Sequence, residues 1–513
     1  MYDKVILVLI LGIASFFRLY RIRDYLTFLG DEGRDVLKVY EILHGNFTLL
    51  GPTSSVGGFF LGPIYYYFMV PFLWIFNYDP VGPVIMVALF GISTVWLIYQ
   101  VGKEFFGSSV GLIAGGLYAI SPLVVIHSRS SWNPNLMPFF SLLTLYLIYK
   151  ALRKGNFKLF ILSGFVFGIT IQLHYLALFL GVIVCIYILL YQFVYSKNNF
   201  SPKIIKQYVS IFLGFIAGWS PFLAFEIRHG FPNIVNIFNF IFNPMDAHGS
   251  GRFFETVNDV FFRVFGRLVT NFPLPEKVSL WSKINVDFWS YTTLVLGLAS
   301  IGFLLFKCFK EYKTRSLDFA KLSLLLVWFI VGVGLFGFYK KSIYDYYFGF
   351  MFPLPFLTVG LFLKSLWKRN IGKILSIAIL LILVYLNSLT IPFKGSANRQ
   401  LNQIEEISQF VISKTDNKPF NFALITGGNS DHAYRYFFTV WKKEPTIIQT
   451  LEKDPKRKTV MNQLLVVCEK APPCEPLGHP IWEIAGFGRA EIVGEWDVSV
   501  VKVYKLEHYE GKR

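Results

Sequence analysis

Over the first 390 residues the chain keeps returning to segments such as GPVIMVALFGISTVWLIYQV (82–101) and LSLLLVWFIVGVGLFGF (322–338), which run on without a charge. At about 1.5 Å of rise per residue, ~20 residues of helix cross the roughly 30 Å hydrocarbon layer of a bilayer. Backbone N–H and C=O groups find no water there, so each segment must satisfy them internally, as helix. Composition agrees: 54% of the 513 residues are hydrophobic and only 16% are charged. These proportions exclude disorder, collagen and a long coiled coil. The fold class that follows is a polytopic α-helical membrane protein.

Eleven spans are expected. The first starts after Lys4 and ends near Tyr20; it has no small-residue cleavage motif and reads as a retained span, not a signal peptide. The others fall near 82–101, 109–126, 136–150, 158–172, 175–194, 208–227, 288–306, 320–338, 346–365 and 372–390. Segment 61–77, LGPIYYYFMVPFLWIFN, is short, aromatic and interrupted by Pro71, so it reads as interfacial or re-entrant. Charge placement supports leaving it out. Lys4, Lys103, the 150–158 loop, Lys197, Lys203 and Lys206, the 307–321 loop and the 364–373 loop then share one face holding 18 Lys or Arg. That face is the cytoplasm. Loops 21–81 and 228–287 and the tail 391–513 lie outside, with the N-terminus inside.

The formal net charge of +17 raises nucleic-acid binding as a reading. Its distribution argues against it. Residues 391–513 carry 17 basic and 15 acidic side chains, while the first 390 carry 32 and 17, so the excess belongs to the membrane part. Two domains are expected, 1–390 in the membrane and 391–513 outside it. The tail reads as a small α/β domain. Leu401, Ile404, Ile407, Phe410 and Val411 mark an amphipathic helix, FALITG a strand, Asp431–Trp441 a helix started by Ser430, and LLVVC and VSVVKVY two further strands. Cys468 and Cys474 can pair there if the compartment is oxidising.

Three polar groups call for explanation. Loop 21–60 contains LGDEGRDVLKVYEILHGN, where Asp31 and Glu32 open an amphipathic surface helix and Arg34 and Asp35 follow. A capped interfacial helix explains the acidic start. A carboxylate held at the membrane surface to take the proton of an incoming hydroxyl explains it equally well. The external turn IHSRSSWNPN gathers His127, Arg129 and Asn133, with Arg129 its single charge, suited to a phosphate or a carboxylate. The turn FYKKSIYDYYF places Lys340, Lys341 and Tyr344 outside, against the positive-inside rule; snorkelling accounts for such lysines less well than an anionic head group does. Arg228, at the outer end of the seventh span, joins this group. No Walker A loop, HExxH motif or CxxC pair is present.

The order of these features resembles the GT-C glycosyltransferases, in particular the protein-O-mannosyltransferase and aminoarabinose-transferase-like group. It consists of one span, a long external loop opening on Asp-Glu, a GPIYYY segment, many further spans and an external C-terminal domain. The resemblance covers residues 1–390 and is most specific in the first 150. It implies a GT-C fold in the plasma membrane of a prokaryote. The donor would be a polyprenyl-phosphate sugar, the acceptor a lipid, glycan or protein hydroxyl, and no nucleotide would be needed. Asp31, with Glu32, would supply the catalytic carboxylate, with inversion at the sugar. Arg129, Lys340, Lys341, Tyr344, Arg34, Arg228, His127 and Asn133 would bind the donor's phosphate and sugar. One departure stands out: related enzymes often carry Lys-Pro where this chain has Leu61-Gly62-Pro63, so the phosphate's counter-charge must come from elsewhere.

No cofactor is expected and no dedicated metal site stands out, although Asp31, Glu32 and Asp35 together offer oxygens to a divalent ion. Membrane lipids are expected partners and nucleic acid is not. Two other functions compete. A transporter or flippase for lipid-linked sugars would carry polar groups near the bilayer midplane in paired halves, whereas here they collect in outer loops. A non-catalytic assembly protein would bind no prenyl phosphate.

Overall fold

The computed structural model describes residues 2–54, 57–195, 202–242, 253–470, 474–509 and 511; Lys197 and residues 243–252 of the second external loop lie outside the described residues. Every expected span coincides with helix. Among the described residues, seven helices are long and apolar enough to cross a membrane: Val81–Phe106, Asn133–Lys154, Tyr175–Tyr195, Pro202–His229, Lys283–Thr314, Leu317–Phe336 and Asn370–Ser388. An eighth is bent by 62° between Asp345–Met351 and Pro353–Leu366. Proline explains the break, because Pro353 has no N–H with which to continue the preceding turn.

The three remaining expected spans are shorter or more charged. Tyr2–Leu19 carries Asp3, Lys4 and Arg18, Phe157–Leu173 has 17 residues, and Ser108–Ile120 stops at Ser121 before resuming as Pro122–His127. The fully buried Arg18 donates to the Ala119 carbonyl at 3.0 Å, satisfying a group that this break would otherwise orphan. Segment 61–77 forms the helix Ile64–Ile75. Its 12 residues extend about 18 Å, short of the hydrocarbon thickness.

Tight helix packing follows from small residues. A Cβ on Gly164 would stand 2.0 Å from the Ile211 carbonyl oxygen, and one on Gly214 1.9 Å from that of Ile161. Gly168 and Gly218 repeat the contact one turn on, so Phe157–Leu173 and Pro202–His229 touch backbone to backbone.

The chain divides into two compact units. The first comprises Met1–Tyr20, Thr48–Phe68 and Ile85–Gly395; the second comprises Arg21–Phe47, Met69–Val84 and Ser396–Arg513. This differs from a simple cut at residue 390, because parts of the first external loop fold with the tail. Arg23 shows why: it bonds Asn402 at 2.8 Å and Glu405 at 2.7 Å, and also pairs with Asp79.

The second unit contains a four-stranded sheet of β1 (Asn421–Ile425), β2 (Gln463–Cys468), β3 (Ala490–Val498) and β4 (Val501–His508), in the order β1-β2-β4-β3. β1 and β2 are parallel, and the other pairs are antiparallel. The unit also holds the helices Gln400–Ser413 and His432–Val440. Two expectations for the tail are corrected. VSVVKVY is not one strand, since the β3–β4 turn passes through Ser499, at φ 54°. The second helix starts after Asp431, while the Ser430 hydroxyl bonds His432 Nδ1 at 2.7 Å.

Cys468, at the end of β2, is joined to Cys474 in a disulfide. Cys474→Ser is expected to destabilise the tail by about 2 kcal/mol, the order for so short a loop. Faster hydrogen exchange in β2 and β4, with no change in the membrane helices, would report it.

Candidate active site

In the second unit, the helix Gly30–Leu43 carries the acidic residues, and the two that open it are placed differently. Asp31 is 62% exposed and accepts a bond from Arg34 at 2.9 Å. Glu32 is buried, and its carboxylate accepts the Leu29 N–H at 3.1 Å, capping the helix it belongs to. Asp35 is fully buried and is bridged by Arg34 at 2.8 Å. Arg34 thus links Asp31 to Asp35. The three carboxylates do not gather as an ion cage: among the described residues, no group of three or more His, Cys, Asp or Glu does.

The opening turn of this helix lies against the helix His432–Val440. A Cβ on Gly33 would stand 2.3 Å from the Ala433 nitrogen, and the Gly30 N–H donates to Asn429 Oδ1 at 2.8 Å. Burial pushes the His432 imidazole below its ordinary value; Asp431 and Asp31 oppose this, and Arg34 and Arg435 reinforce it. Arg34 is the cation bonded to the exposed Asp31, while Arg435 pairs with Asp431 at 2.5 Å.

In the first unit, Lys340 and Lys341 stand at a cavity of about 470 Å³. Its walls are mainly apolar, from Leu178, Phe179, Val182, Phe240, Leu335 and Phe338, with Tyr175 and Tyr339 beside the lysines. The two tyrosine hydroxyls bond each other at 2.7 Å, and Lys341 Nζ lies 4.8 Å from the Phe240 ring centre. Lys340 is exposed and Lys341 half-buried. The exposed Tyr344 stacks on Tyr346, which meets Trp132 at 4.4 Å. An apolar chamber with two cations at one side suits an amphiphile bearing an anionic head.

Other expected site residues are committed elsewhere. Arg129 is buried and donates to the Phe17 and Tyr20 carbonyls, each at 2.9 Å, closing the C-terminal end of Tyr2–Leu19. Asn133 is buried and donates to the Leu173 carbonyl. His127 lies beside Phe352, their ring centres 5.9 Å apart. Arg228 is exposed at the end of Pro202–His229. The turn 128–135 and the turn 339–347 do come together, through Trp132 and Tyr346.

Sequence reasoning passed over Arg263 and Arg267. Both hold Asp345: Arg263 at 2.7 and 3.0 Å, and Arg267 at 2.8 Å. Arg263 also donates to the Ile343 carbonyl at 2.9 Å, so the pair fixes the segment following the lysines. The available signal was two arginines four residues apart in loop 228–287, which the charge pattern assigns to the face where positive charge is scarce.

Residues 61–224 match the family model described as dolichyl-phosphate-mannose-protein mannosyltransferase. A Bacillus subtilis (strain 168) protein named as a mannosyltransferase, YkcB, is 35% identical over 82 residues, which are 16% of this chain and 12% of that protein. Among solved structures, ArnT from Cupriavidus metallidurans in the apo state aligns over 98% of both chains, with a TM-score of 0.61 and 11% identity. The same enzyme bound to undecaprenyl phosphate gives 0.59 and 12% over 97% of both. The archaeal oligosaccharyltransferase AglB from Archaeoglobus fulgidus, in complex with an inhibitory peptide and a dolichol-phosphate, gives 0.54 and 13%, covering 91% of this chain and 69% of that one.

Proposed function

We propose that this chain, a polytopic membrane protein with the GT-C glycosyltransferase fold, moves a sugar from a polyprenyl-phosphate donor to an acceptor hydroxyl on the extracytoplasmic side. The observation that carries this reading is the apolar cavity with Lys340 and Lys341 at its side. An isoprenoid tail gains free energy by leaving water for such walls. A phosphate beside two ammonium groups gains charge-assisted hydrogen bonds that grow stronger as water is excluded. Supporting observations are the likeness to structures whose bound molecules are undecaprenyl phosphate and dolichol-phosphate and the tail's disulfide, of a kind that persists in oxidising compartments.

Asp31 acts as the base in this reading. Its carboxylate takes the proton of the acceptor hydroxyl while the oxygen attacks the anomeric carbon, and the sugar–phosphate bond breaks with inversion. The developing charge on the leaving phosphate is met by the lysines. Arg34 orients Asp31 through its 2.9 Å contact. The reaction needs neither nucleotide nor metal, so prolonged chelation is expected to leave turnover unchanged. Loss of turnover that Mg²⁺ or Mn²⁺ restores would overturn that part of the mechanism.

The test is transfer by the purified full chain from a radiolabelled polyprenyl-phosphate hexose into envelope extract. Label is expected to pass to the extract and free polyprenyl phosphate to appear, with nucleotide sugars inert. Consumption of a nucleotide sugar, or passage of the intact lipid across vesicles without bond cleavage, would contradict the proposal.

A further inference from the structure

Asp31 occupies the second position of its helix, where free backbone N–H groups attract nearby carboxylates. A carboxylate drawn into capping is spent. Here other groups take two of those donors: Glu32 accepts the Leu29 N–H at 3.1 Å, and Asn429, from the tail, accepts the Gly30 N–H at 2.8 Å. Gly30 permits the approach, since a Cβ there would stand 2.1 Å from Ser430 Oγ.

Asn429 is itself held. Its Oδ1 also accepts the Ser430 N–H at 2.9 Å, and its Nδ2 donates to Glu469 at 3.3 Å. Glu469 further accepts the Thr426 and Tyr434 hydroxyls, each at 2.9 Å, and its own N–H donates to the Ile425 carbonyl at the end of β1. An unbroken chain of hydrogen bonds therefore runs from the sheet, through Glu469 and Asn429, to the N–H of Gly30, the residue before Asp31. All of its members lie in the second unit.

We propose that Asn429, oriented by Glu469, is a positioning residue for catalysis: by occupying the Gly30 N–H it keeps the Asp31 carboxylate turned outward as the base. This rests on the assignment of Asp31 above. The amide is suited to the place because it must accept from Gly30 and donate to Glu469 at once. Asn429→Ala removes the acceptor of the Gly30 N–H and leaves the turn that carries Asp31 untethered, so the carboxylate is no longer held outward. Asn429→Asp keeps the oxygen but sets one carboxylate against another. Adding Glu469→Gln returns a donor to the opposite side of the same bond and restores the pair with its polarity exchanged.

The full-length variants are compared by hydrogen exchange over residues 28–33 and by transfer kinetics. Asn429→Ala and Asn429→Asp are expected to lose protection at Gly30 and to lower kcat about tenfold or more, with KM for the donor unchanged. The Asn429→Asp/Glu469→Gln double variant is expected to regain both. A purely structural role would lower the amount of folded protein and leave kcat per folded molecule intact, and would overturn the proposal. So would unchanged protection in Asn429→Ala, or failure of the double variant to recover. The exchange readout needs no substrate. Protection that follows the predicted pattern in a chain whose parent transfers no sugar would refute the enzymatic reading while leaving the hydrogen-bond chain in place.

Discussion

Asp31→Asn is expected to lower kcat by about a thousandfold, within the 10²–10⁴ range of a positioned general base. The substitution keeps the size of the side chain and an oxygen for Arg34, so the local structure has no reason to change. It removes only the ability to take a proton. Binding of an unreactive donor analogue should be unaffected, since the cavity and its lysines are untouched. Single-turnover measurement on folded protein separates these effects. Glu32→Gln provides the contrast. Glu32 is buried and caps Leu29, and glutamine keeps an oxygen for that N–H, so the substitution should cost little of stability or of the chemical step. Equal loss of kcat in both variants would deny Asp31 its separate role.

Gly33→Val is expected to abolish transfer just as thoroughly, by a different route. The added Cβ would stand 2.3 and 2.4 Å from the Ala433 nitrogen and Cα, which are backbone atoms and cannot swing away. Ala433 is itself fully buried. The Gly30–Leu43 helix must therefore lift from the helix His432–Val440. Overpacking of this kind costs about 1–3 kcal/mol even where side chains can yield. Lifting also breaks the Gly30–Asn429 bond and displaces Asp31, and a misplacement of about 1 Å can cost a hundredfold in rate. Donor-analogue binding at Lys340 and Lys341 should survive. Gly33→Val with parental transfer activity would show that this contact does not hold the acidic helix in its working position.

The long apolar helices were legible because their determinants, length and hydropathy, are local. β2 was legible for the same reason, as an unbroken apolar run that is buried throughout. β3 was not. It is an edge strand whose outward Glu491, Glu495 and Asp497 mask its alternation, although such charges are how an edge resists pairing with another chain. The site was legible in part. Asp31 and the Lys340–Lys341 pair stood out as charges in places that hydropathy alone does not favour. Arg129 stood out too, but an isolated charge in a turn does not reveal that the carbonyls at the end of Tyr2–Leu19 need a donor. Arg263 and Arg267 lie about eighty residues from Asp345, and only folding brings them together. Asn429, in a GGNS turn, looks like ordinary turn chemistry until Gly30 is seen against it.

The reading of the cavity as the donor's site is tested most directly by the affinity of the detergent-solubilised full chain for undecaprenyl phosphate, with undecaprenol as control. The parent should bind the phosphate and discriminate against the alcohol. The Lys340→Ala/Lys341→Ala double variant should bind the phosphate about tenfold or more weakly, the scale of a lost charge-assisted contact, while its weak affinity for the alcohol stays the same. A parent that binds alcohol and phosphate alike, or a double variant that binds the phosphate as tightly as the parent, would contradict the assignment.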